Sequence, residues 1–197
     1  MLRLVTPPAT PVVSLAEIKR HVRVENSDDD SYLESLVSAA TGMVDGADGW
    51  LGRALITQTW DYALDLFPCQ RSGSIAVLPI PLAPLVSVTS VAYTAADGTD
   101  TPLATFRTFN ATSSQPAYIV PAIDETWPLT KCEPESVRIR FVAGYGAAGA
   151  VPAGIKHAIM LIAGHWYENR EDVGDRALAK MPMASEALLM PYRNWRG

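Results

Sequence analysis

Cysteine is scarce. Cys69 and Cys132 are the only two in 197 residues, and they lie far apart with no CxxC pair. That excludes a disulfide framework and a cysteine-built zinc site, and predicts reduced thiols in a cytosolic product. Histidine is limited to His21, His157 and His165. The spacings HExxH and GxSxG are both missing, which excludes the zincin and α/β-hydrolase arrangements. No apolar run approaches the roughly 18 uncharged residues that a membrane-spanning helix needs. Pro7, Pro8 and Pro11 also interrupt the segment where a signal-peptide core would lie. The expectation is a soluble protein made in the cytoplasm, with no membrane partner. Positive charge is in deficit as well, 16 Lys and Arg against 21 Asp and Glu for a net charge of -5. Such a balance disfavours binding to a nucleic-acid backbone. The C-terminal stretch from residue 151 is the least acidic part, with 6 basic and 5 acidic side chains.

What is present is ordinary globular composition, 48% hydrophobic and 19% charged, in a chain long enough to bury a core. Three patterns succeed one another. From Ser14 to about Arg53 the signals are helical. Ser14 and Glu17 form a capping box, and Leu15, Ile18, His21 and Val22 follow at helical spacing. Asp28, Asp29 and Asp30 then supply negative charge for a second helix, whose stripe of Tyr32, Leu33, Leu36, Val37, Ala40 and Val44 ends near Gly49. This acidic triplet reads as a solvated cap, since nothing completes a calcium loop. From about Ala54 to Val142 the period changes to two. ITQTWDYALDL, SIAVL, VSVTSVAYT and SVRIRFV read as strands, with a turn at Asp97-Gly98. LPIPLAPL, with Pro79, Pro81 and Pro84, belongs at an edge or in an extended connection. After Pro152 the helical period returns in Ile155, Ile159, Ile162 and Trp166, followed by a short helix around Ser185–Met190. The layout predicts an α+β fold, a helical bundle interrupted by a small antiparallel β sandwich or barrel. The expected parts are 1–53, helices of the bundle; 54–146, the β insertion; 147–190, further helices; and 191–197, a tail.

Gly144 to Gly149 spells GxGxxG, but Val151-Pro152 separates it from the next helix and no βαβ return strand follows. It reads as a glycine loop leaving the sheet. HWYENRE, residues 165–171, places His165 and Glu168 three apart on one helix. A di-metal carboxylate bundle needs a second such pair, which the other helices lack. The motif therefore reads as an interaction helix. Trp166 joins the apolar stripe, Tyr167 buries its ring while its hydroxyl finds a partner, and Arg170 bridges to Glu171, Asp172 or a carboxylate of another subunit. No catalytic, cofactor-binding or metal-binding residue is expected.

The ordered set ITQTW, LPIPLAPLVSVTSVAY, GTD, ETWP, VRIRFVAGYG, VPAGIKHAIMLIAGHWYENRE and LLMPYR resembles the head–tail connector, or adaptor, proteins of tailed bacteriophages and phage-derived gene transfer agents. That resemblance implies structural work without catalysis or cofactor. A ring of expected twelvefold symmetry would sit on the portal protein at the head–tail junction of a virion or phage-like particle. It would extend the DNA channel without binding DNA specifically, and would dock a stopper or other neck or tail protein. The family's portal-binding tail maps onto Tyr192, Arg193, Asn194, Trp195, Arg196 and Gly197. His165, Trp166, Tyr167, Glu168, Asn169, Arg170 and Glu171 map onto the helix that packs body and subunits. Two other readings stay open: a tail-completion or neck protein that contacts the tail, and a small metal-dependent enzyme using His165 and Glu168.

Overall fold

The computed structural model describes residues 1–69, 75–111, 115–170 and 183–194. The fold mixes helices with antiparallel sheets and divides into two compact units. One comprises Met1–Pro8 with Thr57–Tyr145, the other Ala9–Ile56 with Gly146–Gly197.

The helical unit contains α1 (Leu15–Val22), α2 (Asp30–Val44), α3 (Ala153–Glu168) and α4 (Met183–Leu189). The capping box forms at α1: the Ser14 hydroxyl accepts from the Glu17 N–H at 3.3 Å, and the Ser14 N–H donates to the Glu17 carboxylate at 2.8 Å. α2 packs on α3, α1 packs against both, and α4 packs on α3. Leu33, Val37, Ala40 and Val44 on α2, Ile18 on α1 and Ile155, Ala158, Ile159 and Ile162 on α3 are buried, as their helical spacing requires. Tyr32 and Leu36 are half-buried flanks of that stripe.

α2 stops at Val44, short of the expected end near Gly49. The reason is a turn that folds back over its C-terminus. Trp50 and Leu51 donate backbone N–H groups to the Met43 and Val44 carbonyls at 2.9 and 3.3 Å, satisfying acceptors that a helix end leaves open. Asp45 turns outward from the helix, and its carboxylate accepts from the Leu55 N–H at 2.8 Å. A Cβ at Gly49 would lie 2.3 Å from the Asp45 carbonyl oxygen, so only glycine fits there.

The β unit holds a five-stranded sheet, β1-β2-β8-β4-β5, and a three-stranded sheet, β3-β7-β6. Its strands are β1 (Leu2–Thr6), β2 (Gln58–Leu64), β3 (Leu78–Pro79), β4 (Leu85–Thr94), β5 (Asp100–Pro102), β6 (Phe106–Phe109), β7 (Tyr118–Pro121) and β8 (Val137–Ala143). All pairings between these strands are antiparallel, and neither sheet closes into a barrel. β8 is central: Val137, Ile139, Phe141 and Ala143 are buried while Arg138 and Arg140 are exposed, the alternation that a one-sided core imposes. The outward row is charge-paired, with Arg140 bidentate on Asp61 at 2.7 and 2.8 Å and Arg3 on the same carboxylate at 3.3 Å.

Two expectations about strands need correction. The N-terminal segment, read only for its lack of a signal core, supplies β1 and pairs with β2. SIAVL yields no strand before Leu78 among its described residues. LPIPLAPL does lie at an edge as expected, contributing the two-residue β3 that pairs with β7. Prolines cap how far that strand can extend, because each removes a ladder donor.

Candidate functional site

Two clusters in the helical unit gather the residues that the sequence singled out. The first joins the α3 terminus to the start of α2. The Tyr167 hydroxyl donates to Asp29 at 2.6 Å, and Arg170 reaches the same carboxylate at 3.5 Å. The Arg170 guanidinium lies 5.0 Å from the Tyr32 ring centroid and 5.3 Å from that of Tyr167, within cation–π range. The hydrogen bond to Asp29 raises the Tyr167 pKa, because a phenolate there would face a carboxylate. Arg170 thus uses a carboxylate of its own chain, Asp29, which the sequence reading left as a solvated cap; the candidate partners Glu171 and Asp172 lie outside the described residues.

His165 spends its polar groups locally: its carbonyl accepts from the Asn169 side chain at 2.9 Å and its Nδ1 lies 3.3 Å from the same amide. Glu168 is exposed. Among the described residues no group of three or more His, Cys, Asp and Glu stands close enough to share a metal ion. Trp166 is half-buried and not a core residue. Trp166→Ala should therefore cost about 1–2 kcal/mol, below the roughly 3–5 kcal/mol of a fully buried aromatic. A urea melt giving 3 kcal/mol or more, roughly the buried-aromatic figure, would return Trp166 to the core.

Ion pairs extend this polar network among the helices. Lys19 binds Asp30 at 2.5 Å and Lys156 binds Glu17 at 2.6 Å. The Lys156 hydrogen bond, followed by the Ser14 backbone bond, holds the Glu17 pKa down at about 2. A depressed carboxylate stabilises the fold above its unfolded pKa, and that contribution disappears as pH falls from about 4.5 to about 2. Glu17→Gln should flatten stability across this window, removing about 1 kcal/mol at neutral pH for a partly exposed pair. Parallel acid melts of the two proteins would expose an error as equal slopes.

The second cluster is built from the two ends of the helical unit. After α4, residues Met190–Tyr192 form a 3-10 turn and the chain runs back along the turn that follows α2. Arg53, which is 6% exposed, donates its Nε to the Tyr192 carbonyl. The Arg193 guanidinium stacks 4.5 Å from the Trp50 ring centroid. The Asn194 N–H donates to the Leu51 carbonyl at 2.8 Å, and its side-chain amide to the Gly52 carbonyl at 3.5 Å. Gly52 has φ +60, a conformation that favours glycine. The Tyr192 ring lies over Gly154 of α3, where an added Cβ would stand 3.3 Å from Cε2. Tyr192, Arg193 and Asn194 are thus half-buried on their own unit. Trp195, Arg196 and Gly197 lie outside the described residues. Trp50, Gly52 and Arg53 were missed; the only trace in the sequence is a tryptophan bracketed by glycines, GWLGR, just past a helical stripe.

Residues 12–59 match the family model of the phage gp6-like head-tail connector proteins. Solved structures extend the likeness to the whole chain. One is a virion of a native gene transfer agent particle, at 27% identity and a TM-score of 0.75. Another is the neck of an empty particle of this kind computed with C6 symmetry, at 28% and 0.76. A third is the neck of a native particle computed with C12 symmetry, at 26% and 0.69. Each match covers 100% of this chain and 97% of the other. The chain resembles a head–tail connector. No curated protein is significantly similar in sequence. The connector family match spans α1, α2 and the turn that receives the C-terminal segment. The matched family is one of head-tail connector proteins, and the matched chains come from gene transfer agent particles.

Proposed function

We propose that this chain is a structural adaptor at the head–tail junction of a phage-like particle. Twelve copies form a ring on the portal protein, extend the DNA channel and dock a stopper or other neck component. The observation that carries this reading is the full-length likeness to chains from gene transfer agent necks, at 26–28% identity, one of them computed with C12 symmetry. A closed ring needs a heterologous contact repeated by one rotation, and the interlocked helices α1, α2 and α3 supply a rigid body for it. In this reading the bundle forms the ring, the β unit is an insertion whose two sheets pack as a sandwich, and residues 191–197 bind the portal. A net charge of -5 suits a conduit that DNA must slide through without sticking.

The test is reconstitution. Purified protein is added to portal-bearing heads, and the neck is imaged by cryo-electron microscopy. A twelvefold ring seated directly on the portal is the expected result. Density found only on the tail side would overturn portal binding and favour a tail-completion protein.

A further inference from the structure

We propose that the turn Gly49–Arg53 is a clamp that fixes residues 192–194 and so pre-orders the start of the C-terminal segment. This rests on the reading of the C-terminus as the portal-binding segment and adds the residues that position it. Four contacts of different kinds converge on three consecutive residues. Arg53 holds the Tyr192 carbonyl and the Trp50 ring holds the Arg193 guanidinium. The Leu51 carbonyl accepts from the Asn194 N–H, and the Gly52 carbonyl from its side chain. Ordinary chain ends lack such anchorage. The clamp is itself rigid, because Trp50 and Leu51 are bonded back to the end of α2 and Gly49 admits no side chain. The Tyr192 ring over Gly154 closes the other side.

The energetic consequence follows from ordering. A free segment must surrender backbone entropy when it binds, whereas a segment whose first residues are already fixed surrenders less. Trp50, Gly52 and Arg53 are therefore positioning residues. They need not touch the portal.

The experiment uses the full-length chain, its Trp50→Ala and Gly52→Val variants, and a variant lacking residues 195–197. Trp50→Ala removes the ring under Arg193 at a half-buried position, so the body should fold; Gly52→Val disturbs the φ +60 backbone that presents the carbonyl to Asn194. Two readouts are taken: the rate of trypsin cleavage after Arg193 in the free protein, and affinity for the portal protein of the same particle. The clamp predicts faster cleavage in both substitution variants, unchanged helical content, and affinity lower by about tenfold, the scale of a lost pre-organisation. The 195–197 deletion should abolish binding. Unchanged cleavage in both variants would overturn the clamp. Faster cleavage with full affinity would show that the clamp holds the segment but does not position it, and would overturn the proposal while leaving the portal-binding tail intact. Full affinity after the deletion would remove the tail reading and this proposal with it.

Discussion

Removing Tyr192–Gly197 should leave a folded protein that no longer joins portal-bearing heads. The segment concentrates tyrosine, tryptophan and two arginines, the residue types that anchor interfaces. Because Tyr192–Asn194 are docked on the body, the deletion also has an internal cost. Arg53 loses the Tyr192 carbonyl while itself almost fully buried, and a buried donor deprived of its acceptor costs about 1–3 kcal/mol. The expected result is thus complete loss of attachment together with a modestly lowered melt. Removing residues 195–197 alone should lose attachment while keeping the hydrogen bond from Arg53 to the Tyr192 carbonyl. Heads that retain normal tails with the longer deletion would end the portal-binding assignment of this segment.

Phe141→Ala is expected to have the largest effect on stability, about 3–5 kcal/mol. Phe141 is fully buried on the central strand β8, in register with Trp60 on β2 and Val88 on β4. Its removal opens a cavity at the middle of a sheet whose neighbours on both sides are fixed by ladder hydrogen bonds, so collapse into the void is limited. A chemical melt should show the loss in the β unit, with Trp60 and Trp127 fluorescence as reporters. A change below about 1 kcal/mol would show that the site relaxes to fill the space, contrary to its placement at the centre of the sheet.

The alternation of β8 and the helical stripes of α2 and α3 were legible because period and burial are local consequences of the same backbone geometry. The capping box at Ser14 was legible for the same reason: donor, acceptor and spacing all lie within four residues. Strands β5, β6 and β7 were not, being only three or four residues long, too short to show a period. β1 was missed because its membership depends on pairing with β2, more than fifty residues away in sequence.

Sequence by itself determined the helices α1, α2 and α3, the longer strands β2, β4 and β8, where the period switches, and the ordered motifs that point to connectors. Tertiary structure decided which polar groups meet. Asp29 reads as a cap until Tyr167 is brought to it from 138 positions away, and Arg53 reads as an ordinary loop residue until Tyr192 arrives from 139. Such pairings leave no periodic trace, since a hydrogen bond fixes the distance between two groups and places no constraint on the residues around either one. The turn after α2 therefore gained its role as the seat of the C-terminal segment only when the chain closed upon itself.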